Sequence, residues 1–126
     1  MPEYDAEHFD PPAPVAFVTL RNLATGVMLP DVPMLIDTGA DATLLPTSAV
    51  QKIGVEIEPG SGFEVETFDG ESKRLQLAKL ELFFLDKKFA GAYLLIERPM
   101  GILGGNVLNN LRLVLDGISQ KWEEQK

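Results

Sequence analysis

The sequence has no cysteine and a single histidine, His8. The first absence excludes disulfides, thiolate metal sites and cysteine nucleophiles, and the second excludes any centre built from several imidazoles. Basic residues are also scarce, 11 against 19 acidic, giving a formal net charge of -8. Scattered lysines and arginines on so acidic a chain would be repelled by a phosphate backbone, so no nucleic-acid partner is expected. Long apolar runs are missing too. Stretches such as Ala90 to Ile96 fall far short of the ~20 residues that cross a bilayer, and no membrane partner is expected. The acidic start, Met1 to Asp10, lacks the basic stretch and apolar core of an export signal, which makes a cytoplasmic location the expectation.

What is present describes an ordinary folded domain. The chain has 126 residues, 45% hydrophobic and 24% charged, and a chain of that size buries roughly two thirds of its extended surface. Residues 1–14 combine four carboxylates with Pro2, Pro11, Pro12 and Pro14, which resist helix and central strand alike; an extended or disordered arm is expected there. From residue 15 to 122 a single domain is expected, and 123–126 should form a frayed, solvated end anchored by Trp122. His8 reads as a solvated side chain of the arm.

Within the domain, short runs rich in β-branched and aromatic residues alternate with turn residues: Val15 to Leu20, Gly26 to Leu29, Pro33 to Asp37, Gly62 to Phe68, Arg74 to Leu85 and Ala90 to Glu97. This rhythm predicts an all-β domain, a small barrel or sandwich. Asp69-Gly70 signals a tight hairpin, and Asp86-Lys87-Lys88 a turn into the next strand. Only two short helices compete, Thr47 to Ile53 capped by Thr47 or Ser48, and Asn106 to Leu111 opened by Asn106.

The sharpest local feature is an apolar strand, Met34-Leu35-Ile36, running into Asp37-Thr38-Gly39 and then Ala40-Asp41-Ala42-Thr43-Leu44-Leu45-Pro46. A buried strand fixes a carboxylate rigidly, Gly39 permits a tight turn, and the Thr38 hydroxyl can satisfy polar groups beneath the site. Taken alone, Asp and Gly are simply the usual residues of a loop after a strand. A second element lies far downstream, Met100-Gly101-Ile102-Leu103-Gly104-Gly105-Asn106-Val107-Leu108. Its glycines are not a phosphate loop, because the Lys and Ser/Thr of such a loop are missing.

In order and spacing the two elements together resemble the retropepsins, the retroviral and retroviral-like aspartic peptidases, over roughly residues 15 to 120. The resemblance implies a closed all-β barrel with one or two short helices, in which the strand of Ile102, Leu103 and Gly104 crosses the catalytic loop as its structural support. It implies that Asp37, Thr38 and Gly39 form the catalytic triplet and that Ala40 and Asp41 meet substrate. It also places a flap over the cleft at the 63–82 hairpin, with Phe68, Asp69, Gly70 and Glu71 contacting substrate. The family's usual arginine after the downstream glycine is replaced by Gly105, which removes an expected partner of Asp41.

Aspartic peptidases need two carboxylates, one acting as base toward water and one protonated toward the scissile carbonyl. This chain has one such triplet, so the resemblance implies a homodimer acting on a peptide or protein, with the second Asp37 supplied across a two-fold axis. The paired carboxyls should titrate as a coupled unit and work best in mildly acidic solution. No metal and no organic cofactor is implied. The competing reading is a noncatalytic module for binding or assembly on the same barrel.

Overall fold

The computed structural model describes residues 2–58, 64–66, 72–74 and 76–126, and of 64–66 and 72–74 the backbone alone. Among the described residues, twelve strands and two short helices follow in chain order: β1 (Tyr4–Asp5), β2 (Ala13–Arg21), β3 (Met28–Ile36), β4 (Leu44–Pro46), α1 (Thr47–Lys52), β5 (Ile57–Glu58), β6 (Glu64–Glu66), β7 (Ser72–Arg74), β8 (Leu77–Phe84), β9 (Lys87–Ile96), β10 (Gly101–Leu103), α2 (Gly105–Leu108), β11 (Leu113–Asp116) and β12 (Lys121–Glu124).

Six of these strands, in the order β2-β3-β10-β4-β9-β8, close into a mixed barrel through a β2–β8 pairing. Alternation along each strand supplies the core. Ala16, Val18 and Leu20 of β2, Val32, Met34 and Ile36 of β3, and Ala78, Leu80 and Leu82 of β8 point inward and are buried. Each larger side chain among them contributes about 1.5–3 kcal/mol relative to exposure. Both helices are shorter than expected. The N-cap positions are Pro46 for α1 and Gly104 for α2, neither with a side-chain cap, so Thr47, Ser48 and Asn106 do not cap.

β3 is one strand where two were expected. Leu20 pairs with Leu29 and Val18 with Val32, so Pro30 and Asp31 stand opposite Thr19 alone, and Asp31 takes a φ of 59°. This bulge absorbs the proline that argued for a break and keeps the inward face in register on both sides. On its other edge β2 turns to β8, pairing Thr19 with Phe83, Leu20 with Leu82 and Arg21 with Glu81. There the Arg21 guanidinium donates to the buried Glu81 carboxylate, which Lys88 of β9 also approaches at 3.4 Å.

β8 and β9 are joined by a two-residue turn, Leu85 and Asp86, with φ of 52° and 62°. The turn therefore falls one residue earlier than the Asp86 to Lys88 expectation. β6 and β7 pair antiparallel from Glu64↔Arg74 to Glu66↔Ser72; the Asp69-Gly70 turn lies in 67–71, outside the described residues.

The ends of the chain are held together. Tyr4 N–H donates to Gln120 C=O at 2.8 Å and Trp122 N–H to Pro2 C=O at 3.0 Å, while Tyr4 and Asp5 pair with Pro14 and Ala13. Trp122 is buried, its indole N–H donates to Val15 C=O at 3.0 Å, and its ring lies 5.9 Å from that of Phe84. The ladder persists to Glu124, and Gln125 N–H donates to Arg112 C=O at 2.8 Å, beyond the point where fraying was expected. Among the described residues no helix is long and apolar enough to cross a membrane.

Candidate active site

β10 runs between two strands that the 37–43 loop connects. It is parallel to β3, pairing Gly101 with Met34, Ile102 with Leu35 and Leu103 with Ile36, and it is antiparallel to β4 through Ile102↔Leu44. The ladder continues one residue past β3, since Asp37 N–H donates to Leu103 C=O at 3.1 Å. A glycine is needed where the loop folds over β10. A Cβ at Gly104 would overlap the Ala42 carbonyl, and one at Gly101 would overlap the Leu44 carbonyl and the Met34 sulfur.

Four further bonds fix the loop. Gly105 N–H donates to Ala40 C=O at 2.7 Å and Asn106 N–H to Asp41 C=O at 3.1 Å, so the first N–H groups of α2 hold the loop's carbonyls. The buried Thr43 hydroxyl accepts from Gly104 N–H at 3.1 Å and donates to Asn106 Oδ1 at 2.7 Å. Asp37 itself is half-buried, and its Oδ1 accepts from Gly39 N–H at 3.0 Å. One carboxylate oxygen is thereby committed to the turn, which sets the plane of the group.

Inward residues 32, 34 and 36 alternate with Pro33 and Leu35, so Asp37 leaves the ladder on the face of Leu35, about 7 Å further along the strand. That face carries a cleft of about 490 Å³, whose lining reaches Leu35 and does not include Asp37. It is lined by Val15, Phe17, Pro33, Leu35 and Ile102 of the sheet, by Ile96 and Arg98 to Gly101, and by Asp5, His8 and Phe9 of the N-terminal arm. The lining is apolar except at Asp5, His8 and Arg98.

Comparison with solved structures places this arrangement. The EIAV protease complexed with the inhibitor HBY-793 superimposes with a TM-score of 0.62 at 19% identity, covering 85% of this chain and 91% of that one. The retroviral protease-like domain of Ddi1 from Leishmania major does so with a TM-score of 0.56 at 14% identity, covering 90% of this chain and 89% of that domain. The fold is retropepsin-like. No protein-family model and no curated protein matches the sequence.

On this retropepsin-like barrel the expected site residues divide into three groups. Asp37, Thr38, Gly39, Ala40 and Asp41 sit together on the loop, with Thr38, Gly39 and Asp41 exposed. Leu103 and Gly104 are buried beneath them, while Ile102 turns outward into the cleft. Phe68, Asp69, Gly70 and Glu71 lie outside the described residues. The hydroxyl beneath the loop belongs to Thr43 and not to Thr38: the chain turns Thr38 outward at its tip, and by Thr43 it has returned under Gly104.

Sequence reasoning missed Thr43 and the whole arm-side wall. Thr43 carries a signal, a hydroxyl placed just before the apolar Leu44-Leu45-Pro46. Asp5, His8 and Phe9 carry none, because only the packing of the arm brings them to the cleft. His8 is largely exposed, yet its Nδ1 lies 2.9 Å from Asp5 Oδ2, and the Asp5 hydrogen bond raises its pKa above the ordinary histidine value.

Proposed function

We propose that this chain is one subunit of a homodimeric aspartic endopeptidase in which Asp37 of each copy supplies one carboxylate. The observation that carries this reading is the presentation of Asp37. A single half-buried carboxylate is held by Gly39 N–H on a loop locked across β10, two residues along the chain from Leu35 of an apolar cleft. Thr38 and Gly39 beside it are exposed, and these are the residues a second copy would cover.

In this mechanism one Asp37 carboxylate takes a proton from a water molecule as that water attacks the scissile carbonyl. The other, protonated, donates to the carbonyl oxygen and stabilises the charge developing there. The proton then passes to the leaving amine. The fixed loop supplies orientation, since Leu103 C=O holds the Asp37 backbone and Gly39 N–H holds one oxygen of its carboxylate. Digestion of a broad peptide library tests the reading. The parent should cleave it and Asp37→Asn should not, while both melt at similar temperatures.

A noncatalytic assembly module on the same barrel is the second reading, and Gly105 favours it. It leaves exposed Asp41 without the guanidinium that the resemblance implies at that place. Sedimentation discriminates: a chain that remains monomeric at micromolar concentration from pH 5 to 7 cannot assemble the two-carboxylate site.

A further inference from the structure

The N-terminal arm does more than tether the chain's start. It is fastened at both ends, by Tyr4 N–H on Gln120 C=O and by the pairing of Tyr4 and Asp5 with Pro14 and Ala13. Between these points Asp5 accepts from Glu7 N–H and His8 N–H at 2.9 Å each, and its second oxygen meets His8 Nδ1 at 2.9 Å. One carboxylate thus gathers the three residues that follow it. Phe9, the next residue, is half-buried and lines the cleft together with Leu35 and Ile102.

We propose that Phe9 is a specificity-determining residue of the cleft that begins at Leu35, two residues before Asp37, completing an apolar slot for one bulky substrate side chain, and that Asp5 and His8 position it. The inference rests on the peptidase reading for its substrate class, a peptide with an aromatic or large aliphatic residue near the scissile bond. The chemistry follows from the lining. The sheet offers an apolar floor, and Phe9 adds an apolar wall from an otherwise polar, proline-rich arm, so a side chain filling the slot loses water on two sides. An alanine in the same place would touch only the floor.

The test measures binding to the parent by titration calorimetry of two octapeptides with a central hydroxyl isostere, one flanked by Phe and the other by Ala. These probes cannot be cleaved, so the result does not depend on turnover. The parent should prefer the Phe peptide by roughly tenfold. Phe9→Ser should abolish the preference by weakening the Phe peptide alone, Phe9→Leu should restore it, and Asp5→Asn or His8→Gln should reduce it. Unchanged Trp122 emission establishes that each variant is folded.

A preference that survives Phe9→Ser, an equal loss for both peptides, or no binding by the folded parent overturns the inference. Selective binding by a parent that cleaves nothing in the library would remove the catalytic reading and leave the wall standing.

Discussion

At the scale of single residues, the loop is stabilised by one hydroxyl and two glycines of different kinds. Thr43→Val keeps the shape but leaves the Gly104 N–H without its acceptor, and should cost about 1–3 kcal/mol in denaturant titration, with Thr43→Ser close to the parent. Gly104→Ala should cost about as much or more, because its Cβ meets backbone that cannot step aside. Gly105→Ala is the contrast. Its nearest neighbours would be 3.5 Å or more away, so it should be neutral or stabilising by about 0.5 kcal/mol. The place of Asp37 at the end of β3 was legible because an apolar run leading into Asp and Gly signals a strand followed by a loop. Thr43 left only the trace of a hydroxyl ahead of an apolar run, because its value comes from a partner 61 positions downstream.

At the scale of elements, the barrel closes where Arg21, Glu81 and Lys88 meet. The Arg21 hydrogen bond, with help from Lys88, holds the Glu81 carboxyl below its ordinary range, although burial opposes this. A depressed carboxyl contributes stability that is present above its unfolded-state value and is lost as pH falls through its folded-state value. The melting temperature of the parent should therefore exceed that of Glu81→Gln at neutral pH, and the gap should shrink as the solution is acidified. The β8–β9 turn gives a second check. Asp86 has a φ of 62°, which a β-branched residue adopts with strain, so Asp86→Val should cost about 1–2 kcal/mol and Asp86→Asn almost nothing. β2, β8 and β9 were readable as runs rich in β-branched and aromatic residues between turns, whereas the short β1, β4 and β5 were not. The continuity of β3 was hidden because Pro30 signals a break, and only the facing strand reveals that a bulge absorbs it.

At the scale of the whole molecule, the retropepsin-like barrel was legible through the resemblance that two short elements carry, Asp37-Thr38-Gly39 and Ile102-Leu103-Gly104, and β10 lies between β3 and β4 as that resemblance implies. The arm's packing was not legible, since four prolines and four carboxylates describe an unattached end until Pro2, Tyr4 and Trp122 are seen hydrogen-bonded across the termini. The larger claim is that one chain holds half of a catalytic site. It is tested most directly by mixing the parent, at fixed concentration, with increasing Asp37→Asn chain and following cleavage of a peptide taken from the library digest. If each site needs an Asp37 from two copies, mixed dimers are inactive and the rate should fall toward zero as the variant goes into excess. A rate that stays constant across the titration would contradict the account.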